Sequence, residues 1–281
     1  IDSVVGAMSC LVCTKNLADD ATVTSSITMD ATLTLAQLKR AFMAGLARTD
    51  DGLSPSTNWI LHVDFGAPKT IDVIALYGIN TIGGGEAVSV SGGTATEDDT
   101  SYGSIGSLSS GNDSNVLNNE FVFVLEAPVS VRYLKITAGW ETAAGVTYYD
   151  ARRLWIGPAL RLRTASIESA FEVVDRGSIT RSRGERVFST PRKPHKLHTY
   201  AMRGMTQEQA IGYDDGAGPA NLQKVLGDIG LSGEIAVYPT TADQHRIHRL
   251  GTYGHLESSA RIRPQGRQLY AAELVVRQAP A

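Results

Sequence analysis

The sequence predicts a mainly β protein, and the stretch "NWILHVDFGAPKTIDVIALYGI" at residues 58–79 is the first observation that supports this fold class. Trp59, Leu61 and Val63 occupy every second position, as in a half-buried strand. The Gly-Ala-Pro-Lys segment that follows predicts a turn, and residues 71–77 are apolar on both faces, as in a central strand. Comparable runs predict further strands of a β-sandwich at residues 120–128, 131–139 and 152–157.

The second half of the chain is also predicted to be β-rich, with one or two short helices. Thr206 begins a T-x-x-Q capping box, which is typical of a helix start. An apolar stripe with helical spacing runs over residues 222–229, and Gly230 ends it. Several strand patterns complete this half, and the last of them has alternating apolar positions over residues 270–276.

Two segments of the first half carry weaker patterns. Thr34 and Gln37 form another capping-box spacing, and the apolar residues after them predict a helix from residue 34 to about residue 47. Residues 91–119 contain few large aliphatic side chains, which predicts a long exposed insertion.

The charge distribution divides the chain into two predicted domains, residues 1–158 and 159–281. The first contains 9 Lys and Arg against 17 Asp and Glu, and the second contains 17 against 12, which gives net charges of −8 and +5 within a total of −3. This asymmetry predicts different neighbours for the two parts, or head-to-tail stacking in an assembly. The basic residues of the second part are interspersed with acidic ones and no nucleic-acid motif is present, so a nucleic-acid partner is not expected.

The residue types that usually carry metal or redox chemistry do not form a clear site. Cys10 and Cys13 are too few for a zinc site and lack the βα context of a redox motif, so free thiols are expected. His245, His248 and His255 are close in sequence, but positions three apart on a strand face opposite sides, which argues against a shared metal. No apolar run is long enough to cross a bilayer, so no membrane insertion is expected.

Candidate binding residues lie in two loops of the predicted sandwich, at residues 78–87 and 140–150. The second loop has the densest group of aromatic residues in the chain, and aromatic side chains on a sandwich-end loop can anchor a sugar or a protein. Packing of these rings against the neighbouring loop is the alternative. The candidates are Trp140, Tyr148, Tyr149, Asn80 and Glu86.

A basic run from residue 181 to residue 196 is the second candidate surface. Arg181, Arg183 and Arg186 are predicted to face a neighbouring subunit in an assembly.

The first half resembles the discoidin, or coagulation factor 5/8 type C, modules of the galactose-binding-like jelly-roll fold. "DDGLSPSTNWILHVDFGAPKTIDVIALYGI", "VRYLKITAG" and "RRLWIG" carry the resemblance, which covers most of residues 34–158. It implies ligand loops at one end of the sandwich, and it places Asp50 and Asp51 in the loop that sometimes holds a structural calcium. The chain lacks the terminal cysteine pair of extracellular members, which suits a protein made in a cytosol.

The arrangement of the second half is similar to that of tail and baseplate proteins of long-tailed bacteriophages. The similarity implies a structural subunit of the virion tail, made in the host cytoplasm, without enzymatic activity or cofactor, whose partners are sister subunits and other tail proteins. A carbohydrate-binding module that recognises a cell-surface glycan is the alternative, and both roles can coexist. A secreted glycan hydrolase with an accessory lectin domain is a third interpretation, which the absence of a recognisable export signal disfavours.

Overall fold

The fold was analysed in a computed structural model, which describes residues 8–52, 58–80, 87–94, 103–109, 120–139, 147–164, 166–174, 178–181, 187–190, 195–212, 221–239, 250–266 and 268–279. Strands dominate these ranges, which confirms the mainly β prediction. None of the helices in the same ranges has the length and apolar character needed to cross a bilayer. The strands are β1 Met8–Cys13, β2 Thr22–Ser25, β3 Ala47–Arg48, β4 Trp59–Tyr77, β5 Ala87–Gly93, β6 Gly103–Ser109, β7 Glu120–Gly139, β8 Asp150–Ala151, β9 Arg153–Gly157, β10 Leu160–Thr164, β11 Ser166–Val174, β12 Ser178–Arg181, β13 Val187–Thr190, β14 His195–Thr206, β15 Glu234–Tyr238, β16 Thr252–Leu256, β17 Arg261–Gly266 and β18 Leu269–Gln278.

An antiparallel sheet of six strands forms the sandwich, in the order β2-β4-β7-β5-β6 with β9 on the other part of β4. The predicted turn after residue 65 is wrong: β4 is continuous over 19 residues, and its pairing with β7 shifts between Asp64 and Lys69. Gly66, at φ +73°, donates its N–H to the Asp64 carboxylate in this bulge, which lets the strand bend. Trp59 and Ile74 from the two parts of β4 therefore lie in one core.

β7 likewise joins the two strands predicted at residues 120–128 and 131–139 into one strand of 20 residues. The predicted insertion is also partly wrong, because residues 103–109 form β6, which pairs with β5. Its sequence, "GSIGSLS", has too few large side chains for an alternation to be visible.

The helix predicted at residues 34–47 is absent. Two short 3₁₀ turns, Leu35–Lys39 and Ala41–Met43, take its place, and the Thr34 side chain makes no capping bond. Phe42 and Met43 have φ near +55°, because the Phe42 N–H leaves the helical path and donates to Glu234 Oε1 at 2.9 Å and to the Tyr253 hydroxyl at 3.0 Å. Tertiary contacts therefore override the local helical pattern.

A second antiparallel sheet of eight strands contains most of the second half, in the order β10-β1-β15-β16-β18-β14-β11, with β17 on β18. β1 comes from the N-terminus and pairs with β10 on one side and with β15 on the other. The first strand therefore belongs to the sheet of the second half. The division of the chain at residue 158 stays a prediction.

The described part of the second half contains two α-helices, which agrees with the one or two short helices predicted: α1 (Gln207–Ala210) and α2 (Leu222–Ile229). Thr206 caps α1 with the expected reciprocal bonds to Gln209, and α2 packs its apolar stripe on the second sheet.

An apolar layer joins the sandwich to the second sheet. Tyr77 of β4 stacks on Tyr253 of β16 at 4.5 Å between ring centroids, and its hydroxyl lies 2.5 Å from the Tyr238 hydroxyl of β15. Trp155 of β9 meets Tyr253 edge-on at 5.7 Å. All four rings are fully buried. The aromatic contacts therefore fix the sandwich on the second sheet.

Candidate functional site

An ion pair between Arg48 and Asp150 organises one end of the sandwich. Arg48 ends β3, Asp150 begins β8, and the two residues are direct cross-strand neighbours. The guanidinium donates from Nε to Asp150 Oδ1 at 2.7 Å and from Nη2 to Oδ2 at 2.8 Å. This bidentate hydrogen bond raises the pKa of Arg48 above its ordinary value. Among the described residues, no hydrogen bond uses the Arg48 Nη1 donors.

Tyr148, one of the predicted anchors, lies beside this pair. The Arg48 Cζ atom is 4.0 Å from the centre of the Tyr148 ring, so the guanidinium covers one face of the ring. The Tyr148 side chain is partly exposed. The ring is thus held in place and still reaches solvent.

Asn80, another predicted binding residue, has a bracing role here. Its Nδ2 donates to the Tyr148 carbonyl at 3.0 Å, and its Oδ1 accepts from the Asp150 N–H at 2.8 Å. These two bonds tie the loop after β4 to the segment that carries Tyr148. We call Arg48, Asn80, Tyr148 and Asp150 the Arg48 cluster.

Tyr149 is a core residue, and its prediction as a binding anchor is wrong. Only 5% of its surface is exposed, and its ring stacks on Trp59 with an interplanar angle of 6°. Its N–H donates to the Thr49 hydroxyl at 2.9 Å, and its carbonyl accepts from the Thr49 N–H at 3.0 Å. Adjacent residues in an extended segment point to opposite sides, which is why Tyr148 faces solvent and Tyr149 does not.

Asp50 and Asp51, the predicted calcium ligands, are exposed beside the Arg48 cluster. The Gly52 N–H donates to the Thr147 hydroxyl at 3.1 Å, so this loop is tied to the segment before Tyr148. The residues that the structure describes contain no group of three or more side chains able to hold a metal ion. Calcium at Asp50 and Asp51 stays a prediction.

Several other candidates lie in parts of the chain that are not described. Trp140, Glu86, Arg183 and Arg186 are among them, and so are His245 and His248. Arg181 ends β12, which pairs with β13, and a role in subunit contacts stays a prediction. Cys10 and Cys13 are buried free thiols, as the sequence analysis expected.

Arg48 and Asp150, which form the centre of the cluster, were not predicted from the sequence. They are 102 positions apart. Each is an ordinary charged residue in a local sequence without a motif, so only the pairing of β3 with β8 reveals their contact.

The cluster offers chemistry suited to a polyhydroxylated ligand. A partly exposed aromatic ring can pack against the apolar face of a sugar, while guanidinium N–H groups and carboxylate oxygens can bond the hydroxyls of the sugar. Asn80 and the 49–52 loop hydrogen-bond to Tyr148 and Thr147, so the segment that carries Tyr148 is already fixed and loses little conformational entropy on binding.

No family model matches the chain, and none of the curated proteins matches it. Among solved structures, chitosan-binding module 1 from a chitosanase/glucanase of Paenibacillus sp. IK-5 aligns at 12% identity and a TM-score of 0.40, over 50% of this chain and 98% of that one. The family 32 carbohydrate-binding module of C. perfringens NanJ, in complex with galactose, aligns at 11% identity and 0.38, over 51% and 98%. Chitosan-binding module 2 of the Paenibacillus enzyme, in complex with chitotriose, aligns at 14% identity and 0.39, over 50% and 99%. These similar structures are carbohydrate-binding modules, and at these scores they assign no ligand to this chain.

Proposed function

We propose that this chain is a non-enzymatic carbohydrate-binding protein whose sandwich presents the Arg48 cluster to a glycan. The observation that carries the proposal is the partly exposed Tyr148 ring backed by the Arg48 guanidinium, whose Cζ atom lies 4.0 Å from the ring centre. Binding through a preformed aromatic platform with adjacent polar groups is typical of small-molecule sites.

The contacts around Tyr148 assign a role to each residue. The exposed face of the ring packs against the sugar, and the free Nη1 donors of Arg48 bond a ring hydroxyl or the ring oxygen. Asp150 keeps the guanidinium in place through its two bonds, and Asn80 positions the Tyr148 backbone. A glycan on a cell surface, which the sequence analysis gave as the alternative partner, is the proposed ligand.

The test compares Tyr148→Ala with Tyr148→Phe on a printed glycan array and by titration with galactose and chitotriose, the sugars in two of the structures named above. If the ring carries binding, Tyr148→Phe retains it and Tyr148→Ala weakens it at least about tenfold. Tyr148→Ala should leave the melting temperature nearly unchanged, because an exposed cation–π contact contributes only about 0.5–1 kcal/mol. Equal binding by Tyr148→Ala and the parent would contradict the proposal.

A second candidate function is assembly with sister copies, and the exposed edge strand β11 supports it. β11 is at the free end of the second sheet and, within the described strands, pairs only with β14. Phe171 and Val173 are 71% and 57% exposed on it, and an exposed apolar edge strand is a template for pairing with another chain. A subunit of a phage tail tip would use such an edge. That setting is part of the proposal and rests on the sequence resemblance.

Phe171→Ser separates the two candidate functions. It should lower the association state measured by sedimentation velocity while glycan binding stays as in the parent. Tyr148→Ala should do the reverse, so each variant is the control for the other. A parent protein that stays monomeric at high concentration, with or without Phe171→Ser, would remove β11 as an interface between copies.

A further inference from the structure

We propose that the outer face of β14, β18 and β17 is a second binding site, and that its ligand is a sugar residue carrying a carboxylate or a phosphate. A groove of about 300 Å³ lies on this face. That volume is at the lower end of the range for small-molecule sites, about 300–1,000 Å³, and it suits one monosaccharide. We call it the arginine groove; it lies in the second half, apart from the Arg48 cluster.

The strand register builds the arginine groove. Ala271 of β18 is directly opposite Arg203 of β14 and directly opposite Arg263 of β17. Since opposed residues in antiparallel strands share a face, two guanidiniums stand on either side of a methyl group. The small Ala271 side chain leaves space between Arg203 and Arg263, and both arginines can donate hydrogen bonds into that space.

A second row of residues adds a mixed set of charges. Glu273 is opposite Arg261 on β17 and opposite Ala201 on β14. In the described part of the chain, Arg261, Arg263 and Glu273 have no ion-pair partner within 4 Å, whereas Arg203 lies 3.6 Å from Glu168. Arginine side chains favour planar anions such as carboxylate and phosphate, and a carboxylate such as Glu273 accepts bonds from hydroxyls. An anionic sugar has both an anionic group for the arginines and hydroxyls for Glu273, whereas an inorganic anion has no such hydroxyls.

One end of the arginine groove is shaped by bulges on both outer strands. The pairing shifts at Gly204 on β14 and at Gln265 on β17, and Gly204 and the neighbouring Gly266 have positive φ, at +75° and +98°. Gln265 bridges the two strands there, because its Oε1 accepts from the Gly204 N–H at 3.2 Å. With its oxygen engaged, the Gln265 amide nitrogen keeps two donors for a ligand.

Charged residues and proline on an edge strand such as β17 also prevent pairing with foreign sheets. That protective role needs no particular residue on β18. Binding in the arginine groove does need one, because any side chain larger than that of Ala271 would fill the space between Arg203 and Arg263. The two roles therefore differ in their sensitivity to Ala271.

The test measures binding of glucuronate and of glucose 6-phosphate to the full chain by ligand-observed NMR, with glucose as the neutral control. Both acidic sugars should bind more tightly than glucose, and the stronger of the two identifies the anionic group. Arg263→Gln should weaken binding about tenfold or more, while Arg163→Gln, at an exposed arginine of β10 outside the groove, should change it less than twofold.

Ala271→Leu is the decisive variant, because it leaves the net charge unchanged. It should abolish binding of the acidic sugars with no change in melting temperature beyond a few degrees. Unchanged binding in Ala271→Leu, or equal binding of glucose and glucuronate, would overturn the proposal. So would tighter binding of a DNA oligonucleotide than of either sugar, since the arginines would then serve a phosphate backbone.

Discussion

Replacing Arg153 with methionine should strongly destabilise the protein, because Arg153 is an arginine whose side chain has no exposed surface. All five N–H donors of Arg153 are used. Nη1 and Nη2 each donate to Asp19, and Nη1 also donates to the Leu38 carbonyl. Nε and Nη2 each donate to Glu234. Burial alone would lower the pKa of Arg153, but the bonds and charges of Asp19 and Glu234 outweigh it and raise the pKa.

The loss of stability depends on whether the Asp19 and Glu234 carboxylates can be solvated once the guanidinium is gone. The Asp19 side chain is 37% exposed and can regain water, whereas the Glu234 side chain is only 12% exposed. Among the described residues, Glu234 would keep the Phe42 N–H and the Tyr253 hydroxyl as its donors. Removing one partner of a buried ion pair costs about 3–5 kcal/mol, so we expect a loss of about that size from Arg153→Met.

Equilibrium unfolding in urea measures this loss as a shift of the midpoint. Glu234→Gln in the Arg153→Met background removes the unpaired, mostly buried Glu234 charge and should recover a substantial part of the lost stability. Arg153→Lys should fall between, since an ammonium with three donors cannot span two carboxylates and a carbonyl. A loss below about 1 kcal/mol in Arg153→Met, or a double variant no more stable than Arg153→Met, would refute the reasoning.

Two further predictions concern buried titratable groups. Burial, with a smaller contribution from Lys196, lowers the pKa of His198 to about 4, so folding favours the neutral ring. The unfolded chain takes up the proton near pH 6.5, so stability is complete above that pH and should fall by up to about 1.4 kcal/mol per unit between pH 6.5 and 4. His198→Gln should flatten this part of the pH–stability curve, and an unchanged slope would contradict the assignment. Burial also raises the pKa of Cys10 to about 12 and, with the Asp72 charge, raises that of Cys13. Mass spectrometry after iodoacetamide at pH 8 should find both thiols unmodified in the native protein and alkylated in urea, and rapid native labelling would show that β1 opens.

The strands that could be predicted from the sequence are those whose side chains alternate. The Trp59–Val63 and Tyr270–Val276 patterns have the predicted inward faces, and the stripe of α2 buries Leu222 and Leu226. These patterns are local and they report burial directly.

The features that escaped prediction depend on distant partners. The 3₁₀ turn at Phe42 follows a bond to Glu234, 192 positions away. Arg153 looks like a surface residue in its local sequence, and only the two carboxylates that surround it make its burial possible. Tyr148 and Tyr149 carry the same side chain, and the contact with Trp59 decides which of them is buried.

The charge asymmetry between the two halves is partly used within the chain. Asp72 of β4 accepts from Arg161 Nε of β10 at 2.8 Å, and its other oxygen accepts from the Ala159 N–H at 3.0 Å. Asp72 thereby connects β4 of the acidic first half to β10, the first strand of the basic second half. The charges of Asp72 and Arg161 are therefore neutralised within the chain and are not available for contacts with sister copies.

The position of β1 bears on how far the two halves are separable. β1 is an inner strand, with Cys10 opposite Leu162 on one side and Val12 opposite Val237 on the other. Residues 159–281 alone would leave the backbone groups of β10 and β15 unpaired where β1 now lies, and would open the core that Cys10 and Val12 close. The sandwich is joined to the same strands through Tyr77 and Tyr238. The Arg48 cluster and the arginine groove are therefore held on one shared framework, even though the sequence carries them in different halves.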